Sequence, residues 1–221
     1  MPRVAAVPAA LRYKPFRTSA AIAAGLITAR QLIGPAWTRL FRGVYVSAGA
    51  PVDLALRCQA AALLLPVGGA LSHDSAALLH NTLIAPFGST RVHVSIPPRL
   101  RLPLDGGLVV HRVLLGPDEI VRRCGVPVTG PARMAFDLGS GRDAAEAVVA
   151  LDALLYQRVI HPADLLEIAG SRAGWPGVER VPAGGPAGSA TRGISDGDEN
   201  AVGIGRCRAA GAECPAHGSR F

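Results

Sequence analysis

The sequence predicts an α+β protein with three parts: a small N-terminal winged helix-turn-helix over residues 1–50, a mixed α+β domain over 51–181, and a disordered tail over 182–221. Three observations predict it. Two short helix signals followed by a hairpin signal precede residue 50. Apolar stretches of period two then intermingle with stretches of helical period. From Pro182 the composition changes: residues 1–181 hold 25 Leu and residues 182–221 hold none.

Thr18 and Ser19 are fit to cap a helix over Thr18–Ala24, and Gly25 to end it. Thr28 then caps a second helix, Ala29–Ile33, stopped by Gly34-Pro35. Apolar Leu40, Val44 and Val46 alternate with polar neighbours around an Arg42-Gly43 turn, which reads as a small hairpin. Helix, turn, helix, hairpin is the order of a winged helix. Trp37, Phe41 and Tyr45 supply its core rather than stacking platforms.

Asp53–Leu65 reads as a helix with Asp53 in its favourable first turn. Ser72 caps another over Asp74–His80. Arg91–Ile96, Leu108–Leu115 and Val126–Val128 read as strands, the second following an Asp105-Gly106-Gly107 turn. Pro131 opens a helix to Leu138, Asp143 caps Ala144–Gln157, and Pro162 opens Ala163–Ala169.

The net charge is +7 and it is localised. Residues 1–52 contain Arg3, Arg12, Lys14, Arg17, Arg30, Arg39 and Arg42 and no acid, so 7 − 0 = +7; the remaining 16 basic and 16 acidic residues cancel. Cations gathered in one short segment are the footprint of a nucleic-acid contact. A solvated basic terminus has the same charge pattern. Lys14 is the single lysine, an Arg bias that fits a GC-rich gene.

The four cysteines, Cys58, Cys124, Cys207 and Cys214, show neither CxxC nor zinc-finger spacing; Cys58 and Cys124 read as buried thiols. His73 and Asp74 read as a helix start, with no third ligand at a metal spacing. His93 and His111 fall on strands, exposed or half-buried, and Asp137 and Asp152 on amphipathic helices, on a solvated or salt-bridged face. Cys207, Cys214 and His217 lie in the tail and are given no zinc site. No phosphate-binding loop, dinucleotide fingerprint or HExxH occurs. No cofactor or metal is expected. The longest apolar run, Ala60–Leu71, is broken by Pro66 and Gly68-Gly69, and the first residues are too weakly apolar for a signal peptide; the expectation is a cytoplasmic protein without a membrane partner.

The tail carries a second message. Ser195-Asp196-Gly197-Asp198-Glu199, written TCC GAT GGA GAC GAG, reads Pro-Met-Glu-Thr one nucleotide later. Pro186–Ser195 can be shifted likewise to Arg-Leu-Asp-Pro-Arg-Pro-Ala-Gly-Ser-Pro. The hypothesis is a frameshift near Val181 that has replaced the ancestral C-terminus. A +1 frame beyond codon 181 without an open, Leu- and Arg-rich coding sequence would refute it.

Residues 10–181 resemble actinobacterial proteins that join an AbiEi-type antitoxin N-terminal region to a nuclease domain of the very-short-patch-repair type. The resemblance rests on Gly25-Leu26-Ile27-Thr28-Ala29-Arg30-Gln31-Leu32, Gly34-Pro35-Ala36-Trp37 and Arg39–Val46. It continues in Ser72-His73-Asp74-Ser75-Ala76-Ala77, Gly125–Thr129, Phe136-Asp137-Leu138 and Gly174-Trp175-Pro176-Gly177-Val178. In that family the nuclease domain opens on a string like the one the shifted frame spells. The nuclease acids themselves have no counterpart here; Asp196, Asp198 and Glu199 belong to the other frame. The resemblance therefore implies a nuclease-bearing ancestor and a chain that is not an enzyme.

The expected function is that of a DNA-binding, transcription-regulator-like protein of AbiEi-antitoxin type, acting on double-stranded DNA. Arg30 and Gln31 on the second helix would read base edges, to which Arg and Gln are suited, and Thr28 at its start belongs to the same DNA-binding set. Arg39 and Arg42 at the wing, with Lys14 and Arg17, would hold phosphates. Two alternatives stand beside it: an inactive remnant of the endonuclease, and a protein–protein antitoxin module that contacts a cognate toxin or a second copy of itself without DNA.

Overall fold

A computed structural model describes residues 7–82, 84, 91–103 and 105–172; the expected tail, Gly174–Val178, Cys207, Cys214 and His217 lie outside them. Among the described residues the architecture is mixed α+β, with six α-helices and two sheets.

The first sheet is antiparallel. It comprises β1 (Phe16–Arg17), β2 (Trp37–Phe41) and β3 (Val44–Ser47), in the order β1-β3-β2. The hairpin is as expected, and Gly43 at its tip has φ +77°, which favours glycine. The two-residue β1 has no readable alternation and was not expected. Helix α1 (Thr18–Ala23) ends at Gly25, φ +67°. Its expected side-chain cap is absent, because the Thr18 hydroxyl donates to the Gly43 carbonyl at 3.2 Å and ties helix to hairpin.

The helix expected over Ala29–Ile33 is instead one 3-10 turn, Gln31–Ile33. Thr28 and Gln31 form a reciprocal cap: the Thr28 amide donates to Gln31 Oε1 at 2.7 Å, and the Gln31 amide donates to Thr28 Oγ1 at 3.4 Å. That is a helix beginning, but Gly34-Pro35 follows before a second turn can close.

Helix α2 (Leu54–Ala62) starts on Asp53, whose carboxylate accepts from the Leu56 amide at 2.7 Å. Asp53→Ala should lower stability by about 1 kcal/mol, read as a shift in the urea midpoint. The second sheet has the order β6-β5-β4-β8-β7, built from β4 (Ala70–Leu71), β5 (Val92–Ile96), β6 (Leu108–Arg112), β7 (Ile120–Arg123) and β8 (Val126–Thr129). Pairs β4/β8 and β5/β6 are parallel, and β4/β5 and β7/β8 are antiparallel. β4 and β7 were not expected. Cys124, read as buried, is half-buried at the tip of the β7–β8 hairpin, where Cys124 and Gly125 both have positive φ. Cys58 is fully buried.

Helices α3 (His73–Leu79), α4 (Pro131–Gly141), α5 (Ala144–Tyr156) and α6 (Pro162–Ser171) complete the fold. Asp143 caps α5 by accepting from the Glu146 amide. Ser72 occupies the first position before α3, but its hydroxyl bonds the His73 ring and caps no amide. Asp137, expected on a solvated or salt-bridged helix face, is salt-bridged to Arg133, but the pair is buried, with Asp137 4% exposed.

The main core gathers Leu71, Val92, Val94, Val128, Met134, Phe136 and Leu154 with Leu40, Phe41, Val44 and Val46 from the hairpin, so it runs across residue 50. The other side of the small sheet carries a separate cluster of Leu11, Phe16, Ala21, Ile27, Ala36 and Trp37, in which Phe16 and Trp37 meet edge to face at 5.1 Å. Gly107 is the contact point between hairpin and second sheet. A Cβ there would stand 3.0 Å from the Phe41 ring and 2.9 Å from Arg57. The Arg42 amide donates to the Asp105 carboxylate at 2.9 Å. The hairpin is thus a fixed platform.

Candidate nucleic-acid interface

The platform carries a groove of about 400 Å³. Arg39, Arg42, Gly43 and Tyr45 of the hairpin form one wall, Ala29, Leu32 and Ile33 of the 3-10 turn the other, and Thr18 closes the end. Arg39 lies on the edge strand β2 opposite Tyr45, so both side chains rise on one face. A bulge between Arg39 and Phe41 then lets Phe41 turn into the core while Arg42 stays exposed at the tip.

The fold brings together only part of the expected set. Arg39 and Arg42 line the groove. Thr28, Arg30 and Gln31 sit on the turn that forms its far wall but do not line it. Gln31 Oε1 accepts from both the amide and the hydroxyl of Thr28, so this oxygen holds the turn together. Arg17 pairs with Val44 and by strand alternation projects from the opposite face to Arg39. Lys14 is exposed in the preceding turn. Thr18 and Tyr45 line the groove although the sequence marked them as a cap and a core residue.

Lys14, Arg17, Arg30, Arg39 and Arg42 are all exposed. Among the described residues none of them pairs with a carboxylate; the ion pairs found there belong to Arg133, Arg142, Arg172 and His93. Residues 1–52 themselves contain no acid, and the nearby Asp105 carboxylate accepts from the Arg42 amide rather than from its guanidinium. Ile33, 87% exposed, adds an apolar side chain to the same groove.

A second constellation, dismissed at the level of sequence, lies elsewhere. His73 at the start of α3, His93 on β5 and His111 on β6 converge, and a nitrogen from each lies within 4.8 Å of the others. The third ligand that spacing alone did not supply comes from the parallel pairing of β5 with β6. His93 and His111 are half-buried, as expected. Burial, then the neighbouring His111 and His93 rings, lowers the His73 pKa to about 2; burial, then His93, lowers that of His111 to about 4. Burial also lowers His93, against the pull of Asp74.

No family model matches this sequence, and no curated protein does. Among solved structures the chain is similar to the RV2827C protein from Mycobacterium tuberculosis, at 20% identity and a TM-score of 0.49. The match covers 69% of this chain and 61% of that one, so the chain spans under two thirds of the neighbour's length. No described helix is long and apolar enough to cross a membrane.

Proposed function

We propose that this chain is a DNA-binding protein of transcription-regulator type, with the AbiEi-like character that its N-terminal motifs suggest. One observation carries the reading: the whole net charge of +7 resides in residues 1–52, and the described cations of that segment are exposed and not ion-paired, with Arg39 and Arg42 lining the hairpin groove. Unpaired cations on a fixed surface bind phosphate by releasing counterions from the duplex.

The shape of the module divides the roles. A three-residue 3-10 turn is a short probe for a major groove, and Gln31 is engaged in its own cap. Holding the backbone therefore falls to Arg39 and Arg42, with Lys14 and Arg17 outside the groove, and base contact to Arg30. The reading assigns this chain no nuclease activity.

The double variant Arg39→Ala/Arg42→Ala tests the assignment in a salt series on short duplexes. Affinity should fall for every sequence alike, and the slope of log Kobs against log salt should flatten by about two, one for each lost phosphate contact. Equal affinity and slope in variant and wild type would sink the proposal. Mg²⁺-dependent cleavage of the duplex by the purified chain would overturn its non-enzymatic part.

A further inference from the structure

We infer that His73, His93 and His111 form a binding site for a divalent transition-metal ion of the zinc type, separate from the basic groove. Imidazole nitrogens are the preferred donors of such ions, and three of them with one open position is a known zinc coordination set.

The geometry supports it atom by atom. His93 Nδ1 and His111 Nε2 stand 3.2 Å apart. Two nitrogens bound to one tetrahedral zinc at 2.0–2.1 Å stand about 3.3 Å apart. The His73 ring stacks on His111 with centroids 3.8 Å apart, and its donor atom lies within 4.8 Å of those of His93 and His111. In His73 and His93 the remaining ring nitrogen has an orienting partner, as in ligating histidines. His73 Nδ1 lies 3.1 Å from Ser72 Oγ, which leaves Nε2 as the donor. His93 Nε2 faces the Asp74 carboxylate at 4.0 Å, which leaves Nδ1, and Arg142 holds that carboxylate in place.

Two further features point to a ligand. Ser95 pairs with His111 in the β5/β6 ladder and shares its face; its hydroxyl is fully buried and has no partner among the described residues. His73 has φ +51° at the first position of a helix, a conformation rarely adopted by a side-chain-bearing residue. Such backbone strain persists where a site over-determines it. The nearby cations Arg142 and Arg133 are each neutralised, by Asp74 and by Asp137 with Glu119.

The test is zinc uptake by the full, tag-free chain after treatment with a chelator, followed by titration calorimetry with Zn²⁺ alone. Wild type should take up one ion per chain and gain thermal stability with it. H93Q and H111Q should lose that uptake while Cys207→Ser/Cys214→Ser keeps it. D74N, which removes the orienting carboxylate and the countercharge of Arg142 but no ligand, should bind about tenfold to a hundredfold more weakly. Should a histidine variant fail to fold, the graded loss in D74N and zinc-dependent shifts of the three imidazole resonances in wild type carry the test. Absence of uptake, uptake unchanged in D74N, H93Q and H111Q, or uptake abolished by the cysteine changes would each overturn the site.

Discussion

Replacing Arg133 with methionine should destabilise the protein by about 3–5 kcal/mol, against a total stability of about 5–15 kcal/mol for a domain of ordinary size. Arg133 is 3% exposed, within helix α4. Its Nε and Nη2 donate to Asp137 Oδ1 at 2.9 and 2.8 Å, and its Nη1 approaches Glu119 at 3.5 Å. Arg172 of the chain's last described turn also pairs with Glu119, and both guanidinium groups lie 5.6 Å from the Phe136 ring. Removing Arg133 leaves the buried Asp137 carboxylate without its hydrogen-bonded countercharge, with only the weaker pull of Arg172, and its Oδ2 already has no partner among the described residues. Burial raises the Asp137 pKa even with Arg133 beside it, so the lone carboxyl would take up a proton. The double variant Arg133→Met/Asp137→Leu should recover most of the loss, because two apolar side chains of similar volume leave no charge behind. Urea unfolding of the two variants and the wild type separates the cases. If Arg133→Met alone loses less than about 1 kcal/mol, the pair is not the buried tie we describe.

The Arg133–Asp137 pair marks where the sequence was legible and where it was not. The spacing of four residues was visible, and so was the helix that carries it. Its burial was not, since Asp137 looks like any acid on an amphipathic helix until α5 and α6 cover that side. The long helices were readable from their caps: Asp53, Asp143, Pro131 and Pro162 stand where the helices begin. Strands of two residues, β1 and β4, contain no full period and left no pattern to read. Thr28 was legible as a helix start, yet the local signal says nothing of length, and Gly34-Pro35 restricts it to one turn. In the candidate interface, the two groove arginines were found because charge segregation is a property of composition. The histidine cluster was missed because its members are far apart in sequence, His93 and His111 by 18 residues, and meet only through a parallel strand pairing. The one available hint was that both fall on alternating strands, which fixes neither partner nor register.

Those same histidines produce the second large effect, a loss of stability in mild acid. In the unfolded chain each imidazole takes up a proton as pH falls through about 6.5. In the fold, the His73 value is lowered to about 2 and the His111 value to about 4, burial being the main cause in both. His93 and His80 are lowered as well, His80 because burial outweighs the hydrogen bond from its Nε2 to the Thr129 carbonyl. A group whose folded pKa is depressed leaves the unfolded state binding more protons below pH 6.5, so stability rises with pH there. Each such proton changes stability by about 1.4 kcal/mol per pH unit. His73, whose value is lowered the furthest, should contribute nearly that full slope from about pH 6 down to 4; His111, lowered to about 4, contributes over a narrower range. Glu119 adds a loss in the same direction only below its ordinary value of 4.5, since its folded value is lowered. Asp137 opposes them: its raised value favours the fold at low pH, and that contribution is lost as pH rises through the folded value. One carboxyl against several rings leaves the histidines dominant between pH 6.5 and 4.5. In chelator-containing buffer the urea midpoint should therefore fall steeply from pH 7 to pH 5, with the m-value unchanged. A His111→Asn variant should show a shallower fall, because it has one proton fewer to acquire on unfolding. A midpoint that stays constant over those two pH units would show that the rings are hydrated and protonatable in the fold, and that the cluster is far more open than its burial implies.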